Sequence, residues 1–306
     1  MLSAHESMTT TARPSMKPRV STVVTDLDNT LYDWFEFWFA SFGAMLRVLV
    51  EQSTIPAEVL KQEIRAIHQK YGTSEYSALI QELPSLQRKY PGEDLPRRFS
   101  PAIDAYRKAR AATLRLYPTV LDTLSELKRC GVQLIGYTDS RAYQSAYRVR
   151  RLGLDGVLDS LYSPPDHRLP PGTSPEDLRT KPAGEYDLKF TRHCHNPEGE
   201  TKPNPQLLRR IIAEVGAMPG STAYVGDSLR NDIAMAQQAG VLDVHAAYGA
   251  ALGRPGYDLL QEVSHWSPAA VDEEKRLKTA DVHPTYVLRE RFGELLDLFD
   301  FKRSHI

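Results

Sequence analysis

Val20-Ser21-Thr22-Val23-Val24-Thr25 runs directly into Asp26-Leu27-Asp28-Asn29-Thr30, and this junction decides the fold. A short apolar, β-branched run that ends in polar residues reads as a buried strand delivering a loop. An extended chain sends alternate side chains to opposite faces, so Asp26 and Asp28 leave the strand end on the same side, roughly 7 Å apart at ~3.3 Å per residue. Two carboxylates that close repel one another in a water-poor site unless a proton or a divalent cation compensates. By itself Asp-x-Asp is a weak signal, because a chain of this composition contains on the order of one by chance.

Three further elements follow in a fixed order, each at the end of a predicted strand. Val132 to Tyr137 comes after the helix-ending Gly131 and delivers Thr138-Asp139-Ser140, a hydroxyl and a turn whose backbone N–H groups can hold an anion. Lys202-Pro203-Asn204-Pro205 precedes the amphipathic stretch Gln206 to Val215, where proline marks a helix start and the lysine brings positive charge. Thr222 to Val225 runs into Gly226-Asp227-Ser228-Leu229-Arg230-Asn231-Asp232, adding two carboxylates at a strand-to-helix turn. Taken singly, Thr138 is a turn residue, Lys202 a solvated charge, and Asp227 and Asp232 helix caps. Four such elements at successive strand ends exceed what capping chemistry explains.

On these motifs the sequence resembles the haloacid dehalogenase superfamily, whose members carry Asp-x-Asp-x-Thr, a hydroxyl residue, a lysine and Gly-Asp-x-x-x-x-Asp in that order. Asp26, Asp28, Thr138, Lys202, Asp227 and Asp232 match those positions. The resemblance spans residues 20–300, since Pro284 to Leu288 and a helix over Arg291 to Leu298 look like the family's C-terminal end. It implies an α/β fold, a Rossmann-like doubly wound parallel sheet with an inserted α-helical cap, and a Mg²⁺-dependent phosphatase acting on a small phosphorylated metabolite.

In that resemblance Asp26 attacks phosphorus and becomes an aspartyl-phosphate, while Asp28 protonates the leaving oxygen and then activates water. Mg²⁺ is expected on the carboxylates of Asp26 and Asp227 and the backbone carbonyl of Asp28, an all-oxygen set that suits a hard cation. Thr138, Asp139 and Lys202 form the expected phosphate-binding group, and Asp232 orients Lys202 or a metal-bound water. Lys181-Pro182 is a second candidate lysine, disfavoured because Ala183-Gly184 and no helix signal follow it. Members that displace halide typically lack the second aspartate, so Asp28 argues against dehalogenation. A phosphomutase uses the same groups and differs in excluding water, while a catalytically silent phospho-ligand-binding protein has no need of a nucleophile beside an acid.

The composition agrees with a soluble enzyme. The chain's 306 residues have room for a core and a smaller domain, and 41% hydrophobic and 25% charged residues with a formal charge of -1 are ordinary for a globular protein. So near-neutral a balance provides no large basic surface for nucleic acid. No apolar run approaches a membrane span; the richest, Trp34 to Val50, contains Glu36 and Arg47. Cys130 and Cys194 are too few and too far apart for a disulfide framework, so a reducing cytoplasm is the expected location. Nothing in the sequence fixes an oligomeric state.

Residues 1–19 lack an apolar signal core and read as a flexible tail. Residues 20–32 and 116–306 read as the catalytic core. Between them, 33–115 read as a helical cap: Pro56 opens a periodic run through Leu60, Ile64 and Ile67 that stops at Gly72, and Ser100-Pro101 looks like a cap and first-turn proline leading through Ile103, Tyr106 and Leu114. The aromatic cluster Tyr32, Trp34, Phe35, Phe37, Trp38, Phe39 and Phe42 at the start of this segment is expected to be core rather than a stacking platform for substrate.

The stretch 163–201, with seven prolines, separates a third predicted strand, Val157 to Tyr162, from Lys202. It reads as an ordered loop with a short hairpin near Tyr186 to Thr191, lying against the cap or a partner chain and narrowing access to the site. His193-Cys194-His195 is a possible zinc set with His167, although no second ligand pair at finger spacing is present.

Overall fold

The computed structural model describes residues 16–179, 182–267 and 282–301. Lys181, the alternative lysine, lies outside them.

Seven strands form one parallel sheet: β1 (Thr22–Thr25), β2 (Gln133–Tyr137), β3 (Ser160–Ser163), β4 (Arg192–His195), β5 (Thr222–Gly226), β6 (Leu242–Ala246) and β7 (Tyr286–Leu288). Their spatial order is β4-β3-β2-β1-β5-β6-β7. The chain thus starts in the middle, winds outward through β2, β3 and β4, then returns to the other side of β1. Thr25 pairs with Gly136 on one flank and Val225 on the other, so Asp26 leaves β1 level with the ends of β2 and β5. That reversal of strand order is where open α/β sheets place their ligands.

Strands buried on both faces need near-continuous apolar sequence, and β1 and β5 are buried at every residue. Helices α7 (Val120–Arg129), α8 (Ala142–Arg151), α10 (Pro205–Glu214), α11 (Met235–Ala239) and α12 (Tyr257–Val263) flank the sheet, and the single turn α9 (Pro175–Leu178) lies between β3 and β4. Helix α10 begins as its sequence demands: Asn204 caps it by accepting from Leu207 N, and Pro205 takes the first turn.

Between β1 and β2 the chain forms a helical insertion: α1 (Trp34–Ser53), α2 (Ala57–Tyr71), α3 (Leu79–Glu82), α4 (Pro84–Lys89), α5 (Leu95–Arg98) and α6 (Ser100–Thr113). Helix α2 stops at Gly72, whose φ of 62° fits the left-handed C-cap. Ser100 lies inside the first turn of α6, and Phe99 occupies the cap position. Of the aromatic cluster, Tyr32, Phe35, Phe37, Trp38 and Phe42 are buried and Trp34 and Phe39 half-buried, while Trp38 and Phe42, stacked at 4.8 Å, also line a cavity beside the core.

Three sequence expectations need correction. There is no hairpin near Tyr186 to Thr191; the segment leads into β4, which adds to β3 in parallel. A hairpin needs a second strand and a tight turn, whereas here the Asp155 carboxylate accepts from the amides of Lys189, Phe190 and Thr191 at 2.8–3.0 Å, and Thr191 Oγ1 donates to Leu158 O at 2.8 Å. The long Pro-rich stretch is therefore a crossover, which any parallel pair requires. At the C-terminal end, Arg291 to Leu298 is a 3₁₀ turn, Phe292–Glu294, followed by one helical turn, α13 (Leu295–Leu298), rather than a continuous helix. Pro18 and Arg19, within the expected tail, pair with Asp300.

The crossover lies against the helical insertion. His167 sets its ring against Tyr71 and Tyr76, Thr173 Oγ1 donates to Gln81 Oε1 at 3.2 Å, and Arg107 reaches Leu178 O at 3.4 Å. Among the described residues no helix is long and apolar enough to cross a membrane.

Candidate active site

The loops after β1, β2 and β5 bring together every site residue that the sequence nominated, with Lys202 arriving from the turn before α10. Lys202 Nζ, 5% exposed, lies 2.5 Å from Asp26 Oδ1 and 2.8 Å from Asp232 Oδ1. Thr30 Oγ1 donates to the other oxygen of Asp26 at 3.0 Å. Asp232 Oδ1 also accepts from Tyr224 OH at 2.7 Å, and its Oδ2 accepts from Ser228 N at 3.0 Å. It is thereby built to hold Lys202.

Asp139 aims its carboxylate at the lysine's backbone, where Lys202 N donates at 3.1 Å to both oxygens. Thr138 accepts from Ser140 N at 3.1 Å and comes within 3.5 Å of Asp28 Oδ2.

Burial dominates the electrostatics. It pushes Asp26 up to about 8, against the pull of Lys202. Asp227 is also raised well above the usual carboxylate range, by burial and then by Asp26. Burial works against the charge on Lys202, but Asp232 and Asp26 outweigh it and hold the ammonium well above its ordinary value. The site therefore holds more carboxyl groups than one lysine can keep ionised.

Asp26, Asp227 and Asp232 offer carboxylate oxygens that all lie within 4.8 Å of one another. This all-oxygen donor set fits a hard divalent cation such as Mg²⁺. Lys202 and Tyr224 occupy Asp232 Oδ1, whereas its Oδ2, bonded to Ser228 N, keeps an acceptor position. His193, Cys194, His195 and His167 do not form a second centre. His193 Nε2 and Ser163 Oγ are 2.8 Å apart, Cys194 packs on the opposite face of β4, and His167 sits beside Tyr71 and Tyr76. Neither cysteine forms a disulfide.

Asp28 has partners that the sequence did not single out. Its Oδ1 accepts from Tyr32 OH at 2.6 Å and from Arg148 Nη1 at 3.0 Å; its Oδ2 accepts from Ser140 Oγ at 2.6 Å. Arg148, on α8 and 0% exposed, also pairs through Nη2 with Glu75 of the helical insertion. Ser140 stood in the quoted Thr138-Asp139-Ser140 turn. Arg148 gave only one signal, its position three residues after Ser145 on the buried face of α8.

A buried aspartate paired with a lysine and a second, separately held aspartate thus meet at the switch point of a doubly wound sheet, where such sheets bind their ligands. The chain belongs to the haloacid dehalogenase-like hydrolases, whose model matches residues 20–240. It is similar to the glyceraldehyde 3-phosphate phosphatase of Methanopyrus kandleri, 24% identical over 233 residues that cover 75% of this chain and 85% of that protein. The protein of the same name from Methanocaldococcus jannaschii is 22% identical over 74% of this chain and 85% of its own length. In fold it is similar to a 2-haloacid dehalogenase from Pseudomonas syringae pv. Tomato DC3000, with a TM-score of 0.51, 20% identity, and coverage of 91% of this chain and 97% of that one. Within the family the chain is a phosphatase.

Proposed function

We propose that the chain is a Mg²⁺-dependent phosphomonoesterase that removes phosphate from a small sugar phosphate of triose size through an aspartyl-phosphate on Asp26. The observation that carries this reading is the division of labour between the two aspartates. Asp26 lies against Lys202, whereas Asp28 is held apart by Tyr32, Ser140 and Arg148.

In the first half-reaction an Asp26 oxygen bonds to phosphorus as the bond from phosphorus to the leaving oxygen breaks, and that oxygen takes the proton of Asp28. In the second, the Asp28 carboxylate takes a proton from water as the water oxygen bonds to phosphorus and Asp26 is released. Lys202 and Thr138, with the backbone of the turn at Asp139, offer donors to the phosphoryl oxygens, where charge spreads in the transition state. Asp139 fixes Lys202 through its backbone, and Asp232 fixes it through Nζ. Asp26, Asp227 and the backbone carbonyl of Asp28 would hold Mg²⁺, which supplies electrostatic screening between the nucleophile and the phosphate.

We read residues 33–115 as the cap, 20–32 with 116–306 as the core, and the crossover over 163–201 as a wall that narrows access. A cavity of ≈140 Å³ where Trp38, Glu75 and Tyr106 of the cap face Tyr143 of the core and Leu178 of the crossover supports that reading, although Asp26, Asp28 and Lys202 lie outside its lining. A small soluble metabolite as partner and a reducing cytoplasm as setting go with it.

The test is phosphate release from a panel of sugar phosphates, nucleotides and phosphorylated amino acids, with Mg²⁺ or with chelator, for the wild-type chain and Asp26→Asn. Release that needs Mg²⁺, is highest for triose phosphates and vanishes in the variant is the expected outcome. A panel without release, coupled to isomerisation of a sugar phosphate, would replace the hydrolase by a mutase.

A further inference from the structure

We infer that Arg148 is the positioning residue of the acid Asp28, and that Glu75 of the cap completes the arrangement. This rests on the reading of Asp28 as general acid. A guanidinium with 0% exposure is costly unless paired on its donors, and removing either partner leaves a charge stranded. Arg148 spends its fork on two carboxylates from different parts of the chain. Nη1 serves Asp28 at 3.0 Å and Ser140 Oγ at 2.9 Å, and Nη2 serves Glu75. Glu75 is held in turn by Trp34 Nε1, which donates to its other oxygen at 3.1 Å. The rings of Tyr32 and Phe37 lie 5.9 Å and 4.9 Å from the guanidinium carbon. Because the fork is planar and rigid, its hold on Asp28 depends on where Glu75 sits.

The same contacts distinguish the two oxygens of Asp28. Each carboxylate oxygen has about two acceptor positions. Oδ1 fills both with Tyr32 and Arg148, whereas Oδ2 has Ser140 and only a 3.5 Å approach from Thr138. Oδ1 is therefore the anchor, and Oδ2 carries the proton that passes to the leaving oxygen as its bond to phosphorus breaks. Anchoring one oxygen in the core and its anchor in the cap makes the acid competent only while cap and core are in register.

The experiment compares kcat on glycerol 3-phosphate, whose alkoxide leaves only with a proton, with kcat on p-nitrophenyl phosphate, whose leaving group needs none. The proteins are wild type, Arg148→Gln, Arg148→Lys, Glu75→Gln and Asp28→Asn. Arg148→Gln and Glu75→Gln are expected to lower kcat on the alkyl ester about tenfold or more beyond any loss on the aryl ester. Arg148→Lys should recover part of the difference. Equal losses on both esters in Arg148→Gln and Glu75→Gln, with Asp28→Asn still selective, would overturn the positioning role alone. If Asp28→Asn loses equally on both, the acid assignment fails and takes the inference with it. Should Arg148→Gln not fold because it strands Glu75, the double variant Glu75→Gln/Arg148→Gln removes both charges and decides by the same ratio.

Discussion

Gly226 has no room for a side chain. A Cβ there would lie 2.5 Å from the Cβ and a carboxylate oxygen of Asp232, which is itself held by Tyr224, Lys202 and Ser228. Gly226→Ala must therefore displace the carboxylate that holds the lysine, and a shift of about 1 Å in such a site costs on the order of 100-fold in rate. The expected result is a fall of that size in kcat with a folded chain, checked by steady-state kinetics beside a thermal melt.

Asp139 makes a different prediction, because burial raises its carboxyl to about 6. A carboxyl raised on folding contributes stability that is fully present below its unfolded value and is lost as pH rises through the folded one. Between about pH 4 and 6 the wild type should lose up to about 2 kcal/mol on this account. Asp139→Asn should flatten that slope, which melts at a series of pH values would reveal.

Among the elements, the strands that carry motifs were legible and so was β3, read as Val157 to Tyr162, whereas β4 was not. β1, β2 and β5 are apolar, β-branched and bounded by Gly or polar residues, so periodicity and site chemistry pointed the same way. β4 reads Arg192-His193-Cys194-His195, without an apolar face, and it is a strand because residues far back in the chain hold its entrance. Asp155 supplies that hold, and single-sequence reading has no access to such a long-range pairing. The same limit hid Arg148 and Glu75, whose roles exist only where helix α8 meets the cap.

Asp155→Ala removes the acceptor of three amide bonds and should cost about 2 kcal/mol by leaving those donors unpaired. Faster hydrogen exchange should follow over 189–195, with β1, β2 and β5 unchanged. Exchange that speeds up across the whole sheet would mean that β4 is integral to the core rather than an added edge.

For the whole molecule, the excess of carboxyl groups over cations at the end of β1 links metal, protons and stability. Without metal, the elevated Asp26 should make the fold less stable as pH rises through about 8, since ionising it in place is unfavourable. Mg²⁺ removes that disadvantage, and at about 100 times its dissociation constant it should add roughly 2.7 kcal/mol. Binding has to displace a proton where Asp26 is protonated, so affinity should climb by up to about tenfold per unit between pH 6 and 8. Calorimetry in two buffers of different ionisation enthalpy would detect the released proton. Chelator should lower the melting temperature of the metal-loaded protein but leave that of Asp26→Asn/Asp227→Asn unchanged.

The chain is fastened twice after the Pro-rich part of the crossover between β3 and β4, once on each side of β4. Asp155 seats the entrance to β4, and beyond its exit Asp139 grips the backbone amide of Lys202. Whatever the Pro-rich segment does upstream of those two fastenings, the ammonium arrives at Asp26 in the same place. Substrate choice and reaction chemistry thus occupy separately adjustable parts of one continuous chain: the wall can be lengthened, shortened or exchanged by selection or by design while the catalytic lysine keeps its address.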